Sequence, residues 1–271
     1  RMNRIAHILL LISLLPVLAG CVTDSPSSAL VLMNGKPLSP LCFLSGEDTQ
    51  PGKIIDPALC DQGSFIPVIS GSDYKQPTGF TGTAYRYEDD PEDSPVRSFI
   101  EYKNLGVAEG RHAVLVREYG GGSGLFTSLY MLSTVDGNKL RIDSIPASGD
   151  RCMGGITGAA VNRAHNLIYS INVTAQGLYD LATPAVLTPE KSILPDCAAC
   201  CYGEALYNNE TLLTITLNEQ AVSSPDRETG DTVQACFDKI VHRHLENDQA
   251  EMDRPALERF INLFRRDCLP E

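Results

Sequence analysis

The chain has 271 residues, 22 Lys and Arg against 34 Asp and Glu, a formal net charge of −12, and 43% hydrophobic residues. That balance excludes a disordered or collagen-like chain and supplies apolar side chains for one large domain or two small ones. It also argues against a nucleic-acid partner, because holding phosphates needs clustered Lys and Arg that this chain lacks.

In chain order the first feature is a leader. Arg1 and Arg4 precede an apolar run from Ile8 to Leu18, interrupted only by Ser13 and Pro16. A hydrocarbon core of about 30 Å needs roughly 20 apolar residues in a helix, so this run is too short to span and reads as the h-region of a signal peptide, residues 1–20. It ends at Leu18-Ala19-Gly20-Cys21, which resembles the lipobox of bacterial lipoproteins. The resemblance covers the leader alone. It implies that Cys21 is acylated through its sulfur, becomes the first residue of the mature chain, and ties that chain to a membrane through its lipid. Val22 stands where inner-membrane lipoproteins of enteric-type bacteria carry Asp, so the resemblance implies an outer-membrane anchor facing the periplasm. An ordinary secretory leader with Cys after its cleavage site is the alternative, and either form exports the chain. Processing removes two arginines and no acid, leaving the mature chain more negative still.

The chain has nine cysteines, and assigning Cys21 to lipid leaves Cys42, Cys60, Cys152, Cys197, Cys200, Cys201, Cys236 and Cys268. An even set in an exported chain reads as four disulfides, although such a set allows about 105 connectivities. Cys42 and Cys60 bracket a Gly/Pro/Asp-rich stretch, residues 46–57, and a bridge between them would close it. Cys236 and Cys268 fall on two predicted C-terminal helices that a bridge would staple together. Cys152 is left with Cys197, Cys200 and Cys201, and the pairing among these four stays open. The C-x-x-C spacing of Cys197 and Cys200 invites a redox dithiol or half a zinc site. No βαβ context and no second close pair accompany it, so structural disulfides are expected, with no metal and no cofactor.

Residues 21–75 are rich in Ser, Pro, Gly and Asp and read as a tether followed by a disulfide-closed loop region. Residues 76–220 form the β-rich core. Within it 112–117, 129–132, 167–171 and 212–217 are strand candidates, and in the last of these Leu213, Ile215 and Leu217 are expected to share the core face. Asp136-Gly137, His165-Asn166 and Asn208-Asn209 sit where hairpins would reverse. Gly158–Val161 followed by Leu167–Asn172 is echoed by Gly203–Leu206 followed by Leu212–Asn218, at a spacing that resembles a β-propeller blade of roughly 40–45 residues. Residues 221–271 are helical: Val233, Phe237, Ile240, Val241 and His244 share one face, and Asp253-Arg254-Pro255 opens a second helix bearing Leu257, Phe260, Ile261 and Phe264. The fold class is therefore mainly β, an antiparallel sandwich or propeller-like sheets, disulfide-rich and with a C-terminal helical pair.

Signals for chemistry are few. Gly120-Gly121-Gly122-Ser123-Gly124 lacks the spacing of a nucleophile elbow and the Lys of a phosphate loop, and reads as a turn that could line a site. His112, His165, His242 and His244 have no local partner pattern. Glu88, Asp89, Asp90, Glu92 and Asp93 form a dense carboxylate run without the order of an EF-hand loop, so they read as a solvated acidic loop. Gly149–Gly155, with Asp150 and Arg151, is the densest polar and glycine cluster; it reads first as a disulfide-pinned loop connecting strands, with a binding loop as the alternative. Ten tyrosines and no tryptophan suit protein contacts better than sugar stacking. The expectation is a lipid-anchored periplasmic module that binds a basic protein partner, steered by its negative charge. Its specific form is an inhibitor or immunity-type protein against an envelope-attacking enzyme. The alternative is an envelope hydrolase whose active site assembles only in space.

Overall fold

A computed structural model describes residues 37–44, 50–60, 65–68, 73–91, 95–183, 193–218 and 232–269. Cys21 and the leader therefore lie outside the described residues.

Two antiparallel sheets carry the fold. The first is a meander of β3 (Thr81–Tyr87), β4 (Phe99–Ala108), β5 (Arg111–Tyr119), β6 (Phe126–Val135) and β7 (Lys139–Asp150). The short strands β1 (Ile54–Ile55) and β2 (Phe65–Val68) close its two edges, against β7 and β3 respectively. The Asp136-Gly137 signal makes the β6–β7 turn with φ of 46° and 76°, both in the left-handed region that Gly and Asp tolerate best. Glu109-Gly110 does the same between β4 and β5, at 51° and 75°.

Both faces of this sheet are covered, which is why its central strands read as continuous apolar runs. On one face Val114, Val116, Tyr130 and Leu132 pack under the N-terminal arm, where a single 3-10 turn, Pro40–Phe43, buries Leu41 and Phe43. The Tyr102 hydroxyl donates to the Leu38 carbonyl at 2.9 Å, and the Cys42–Cys60 disulfide closes the arm. On the other face Ala113, Leu115, Leu129 and Met131 meet Leu167 and Tyr169 of the second sheet.

That second sheet runs β12-β11-β10-β9-β8, from β8 (Ile156–Val161), β9 (Leu167–Val173), β10 (Gly203–Asn208), β11 (Thr211–Leu217) and β12 (Glu251–Met252). The repeated Gly-led segments are its two consecutive hairpins, β8–β9 and β10–β11, side by side in one sheet and not successive propeller blades. Its core face is shared. Leu167 and Tyr169 lie on the first sheet, while Val173, Ala205, Ile215 and Leu217 pack on three helices.

The helices are α1 (Ala175–Ala182), α2 (Thr232–Glu246) and α3 (Arg254–Cys268). Sequence periodicity finds α2 and α3 but not α1, which is two turns long and begins where Thr174 accepts the Gly177 N–H at 3.0 Å. Asp253 caps α3 by accepting the Ala256 N–H at 2.8 Å. Phe237, Phe260 and Phe264 interlock edge-to-face between α2 and α3, and the Cys236–Cys268 disulfide staples the pair as expected. Arg265 lies over the Tyr179 ring and donates to its hydroxyl at 2.9 Å, so it clamps α1 to α3 in addition to standing at the carbonyl end of α3.

One expected face is corrected. Leu213 is 44% exposed while Ile215 and Leu217 are buried. A register shift at Leu206/Tyr207 lets Leu212 pack against the core in its place.

Candidate functional site

The meander puts three loops at one end of the first sheet. β3 ends at Tyr87 and β4 starts at Phe99; β5 ends at Tyr119 and β6 starts at Phe126; β7 ends at Asp150. Pairing confirms the alignment, with Phe99 opposite Tyr119, Glu118 opposite Phe126, and Phe126 opposite Asp150. The turn of Glu88, Asp89 and Asp90, the Gly120–Gly124 loop and the Gly149–Gly155 loop, far apart in sequence, are therefore neighbours.

The glycine loop is the bridge between the other two. A Cβ at Gly120 would lie 3.9 Å from the Tyr87 hydroxyl, and one at Gly121 3.2 Å from the Ser98 hydroxyl. The Tyr119 hydroxyl donates to the Gly122 carbonyl at 2.6 Å. On the far side the Leu125 N–H donates to Asp150 Oδ1 at 2.9 Å. The loop is thus held at both ends, while Ser123 stays exposed within it.

The Gly149–Gly155 loop is a tight reversal. A Cβ at Gly149 would fall 2.1 Å from the Met153 carbonyl oxygen, and one at Gly155 2.3 Å from that of Arg151. Only glycine allows backbone to pass backbone so closely. Asp150 and Arg151 form a two-pronged ion pair, Nε to Oδ1 at 3.0 Å and Nη2 to Oδ2 at 3.1 Å. The Arg151 guanidinium, helped by the Leu125 amide, holds the Asp150 carboxyl below the usual carboxylate range against the opposing effect of burial.

Neighbouring chain pins this loop from behind. Gly154 N–H donates to the Asn172 carbonyl at 3.2 Å, Asn172 N–H to the Gly155 carbonyl at 2.9 Å, and the Asn172 side-chain amide to the Arg151 carbonyl at 3.2 Å. Cys152 is bridged to Cys201, its N–H donates to the Ala198 carbonyl at 3.3 Å, and Cys197 is bridged to Cys200. The pairing among these four cysteines is thereby resolved. In front of this fixed backbone Phe126 is 52% and Met153 43% exposed, beside the exposed Arg151. Sequence reasoning missed both. An exposed Phe at the start of an apolar strand looks the same as a core Phe.

Glu88, Asp89 and Asp90 occupy an exposed turn after β3. Asp90 caps that turn by accepting the Tyr87 N–H at 3.0 Å. Glu92 and Asp93 lie outside the described residues. Among the described residues the histidines fall in three separate places. His112 is in β5, and His165 is in the β8–β9 turn with Nδ1 3.2 Å from the Val107 carbonyl. On α2, His242 pairs with Glu246 at 3.3 Å while His244 packs edge-on against Phe260. Among the described residues no group of three or more His, Cys, Asp or Glu is placed to hold a metal ion.

On the other face of the same sheet end lies a cleft of about 500 Å³ that no sequence signal announced. Along it Tyr74 stacks on Phe99, and Tyr119 meets Phe99 at a tilt. At its floor Glu101 is fully buried, with Arg117 donating to Oε1 and the Tyr74 hydroxyl to Oε2 at 2.8 Å. Arg117 in turn lies 4.2 Å from the centre of the Phe80 ring. The arrangement depends on Gly82, where a Cβ would stand 2.0 Å from the Tyr74 hydroxyl. Burial, reinforced by the Glu101 carboxylate, pushes the Tyr74 phenol well above its ordinary value.

No protein-family model, no curated protein and no solved structure matches this chain.

Proposed function

We propose that this chain is a lipid-anchored binding module of the bacterial envelope, attached through Cys21 to the outer membrane, that holds a basic protein partner at the loop end of the seven-stranded sheet. The observation that carries the reading is the pinned loop Gly149–Gly155, whose backbone is fixed by a disulfide and by Asn172 while Phe126, Met153 and Arg151 face solvent. Exposed aromatic, Met and Arg side chains are the types enriched in protein interfaces. A loop held rigid beforehand loses little conformational freedom when a partner docks. This preorganisation fits an inhibitor or immunity-type role against an envelope-attacking enzyme.

Charge supports a division of labour between the loops. Asp150 neutralises Arg151, so the pinned loop offers apolar anchors without net charge, while the turn of Glu88, Asp89 and Asp90 adds to a negative field over the same end. Such a field raises association rate, and packed anchors slow dissociation. Four disulfides are compatible with an exported chain.

The test is capture from envelope extracts followed by kinetics on the purified pair. A basic partner is expected whose association slows as salt rises, with a Debye length of about 8 Å at physiological ionic strength setting the range. Neutralising Glu88, Asp89, Asp90, Glu92 and Asp93 should lower the association rate far more than it raises the dissociation rate. An acidic partner, or salt-independent association, would overturn the reading, and turnover of a generic ester or glycan by the purified chain would favour a hydrolase. For the anchor, Cys21→Ser should block processing and acyl labelling; a variant that is processed and fractionates like wild type refutes it.

A further inference from the structure

We propose that the Cys197–Cys200 disulfide is a thiol–disulfide exchange site for a dithiol, and that its reduction is relayed to Cys201 with release of Cys152. The two bridges at this place are joined by one peptide bond, because Cys201 directly follows Cys200. The Cys152 N–H donates to the Ala198 carbonyl at 3.3 Å, and the Cys200 N–H to the Cys197 carbonyl at 3.0 Å, so both bridges belong to one compact knot. Access is graded within it. Cys197, Cys200 and Cys201 are half-exposed, whereas Cys152 is only 6% exposed. Cys42–Cys60 and Cys236–Cys268 have no third cysteine in their segments, so this knot is where a freed thiol finds a second bridge beside it.

The chemistry balances in two steps. A dithiol attacks the Cys197–Cys200 bond and closes to its own disulfide, leaving both cysteines as thiols; it supplies the two electrons and two protons. The Cys197 thiolate then attacks the Cys201 sulfur. A Cys197–Cys201 bond forms, the Cys152–Cys201 bond breaks, and the departing Cys152 thiolate takes up the proton that Cys197 released, with no net change in oxidation state. Attack falls on the Cys201 sulfur because exchange rates follow access to the attacked sulfur, and the Cys152 sulfur is buried. Cys197 is the attacker because a Cys200–Cys201 bond would close a small ring across one peptide unit, which a planar trans peptide resists.

The product loses the covalent tie behind the Gly149–Gly155 loop and keeps its hydrogen bonds to Asn172. Exchange does not depend on the binding role proposed above; an effect of exchange on a partner does rest on it.

The experiment treats the native, fully oxidised protein with graded dithiothreitol, quenches with N-ethylmaleimide, cleaves after Lys and Arg, and maps the cysteines by mass spectrometry. Cys152 opens the peptide after Arg151, while Cys197, Cys200 and Cys201 share another, so the link between the two peptides reports the Cys152–Cys201 bond directly. Expected at low reductant is loss of that link, with Cys152 and Cys200 alkylated one to one and Cys197–Cys201 as the remaining bond. Alkylation of Cys197 and Cys200 with the link intact, up to the reductant level that opens the other two bridges, would overturn the relay. Cys197→Ser, lacking the attacking sulfur, should keep the link at reductant levels that abolish it in wild type; equal loss also overturns it. If the link is lost as expected and partner affinity does not change, exchange stands and binding does not depend on the Cys152–Cys201 bridge.

Discussion

Replacing Arg117 by Leu should expose how the cleft at the sheet end is held together. Glu101 is fully buried and its Oε1 is neutralised by Arg117, which is itself 32% exposed. Removing the cation strands a buried carboxylate, a change that costs about 3–5 kcal/mol. The lower end applies because solvent already shares the Arg117 charge. The cation–ring contact with Phe80 is worth about 0.5–1 kcal/mol and does not decide the outcome. With a urea m-value of about 2–3 kcal/mol/M, the midpoint should fall by about 1–1.5 M. Glu101→Leu together with Arg117→Leu leaves no buried charge and should recover most of the loss, to within about 1–2 kcal/mol of wild type. Tyr74 then loses its acceptor, but it is only half-buried and can turn to water. The assay is equilibrium urea unfolding followed by far-ultraviolet circular dichroism with disulfides intact, since the chain has no tryptophan. A double variant no more stable than Arg117→Leu refutes the reasoning, because the arginine would then be stabilising by packing alone.

Phe126→Ala should change stability by less than about 0.5 kcal/mol, since half the ring is in solvent, yet speed dissociation of the partner at least about ten-fold; an unchanged off-rate on a surface-plasmon sensor counts against the loop. Cys236→Ser with Cys268→Ser, which opens a bridge spanning a sequence separation of 32, should lower unfolding free energy by about 3–4 kcal/mol in denaturant titration. Asp253→Ala removes the cap of α3 and should cost about 0.5–2 kcal/mol, with Asp253→Asn nearly neutral by the same measurement. Burial against Phe260 depresses the His244 pKa, partly opposed by a backbone hydrogen bond to Ile240. The neutral ring is therefore the folded form: its contribution is full above the ordinary histidine pKa near 6.5 and is lost as pH falls through the lower folded value. His244→Phe should flatten that part of the acid limb in pH-dependent urea midpoints.

The amino-acid sequence alone determined what depends on near neighbours. Short apolar runs bounded by turn signals locate β5, β6, β9 and β11, and Asp136-Gly137 marks a hairpin, because a run's composition and a turn's positive φ are properties of a few consecutive residues. Asp253 and Pro255 start α3 for the same reason. The bridges Cys42–Cys60 and Cys236–Cys268 were legible because each closes a local unit, a loop or a helix pair. Tertiary structure decided the rest. Cys152 takes Cys201 as its partner because the β7–β8 reversal is bonded to Asn172 of β9, and the Val173 carbonyl holds Tyr202, the residue after Cys201. Periodicity says which side of a strand a residue faces, but not what lies over that side. Glu101 is buried because Tyr74 folds across the gap left by Gly82, whereas Phe126 and Leu213 are exposed where the N-terminal arm and the register of β10 leave them uncovered. The three loops became one surface because five strands of a meander end in alternation, an arrangement set by long-range pairing that no local pattern encodes.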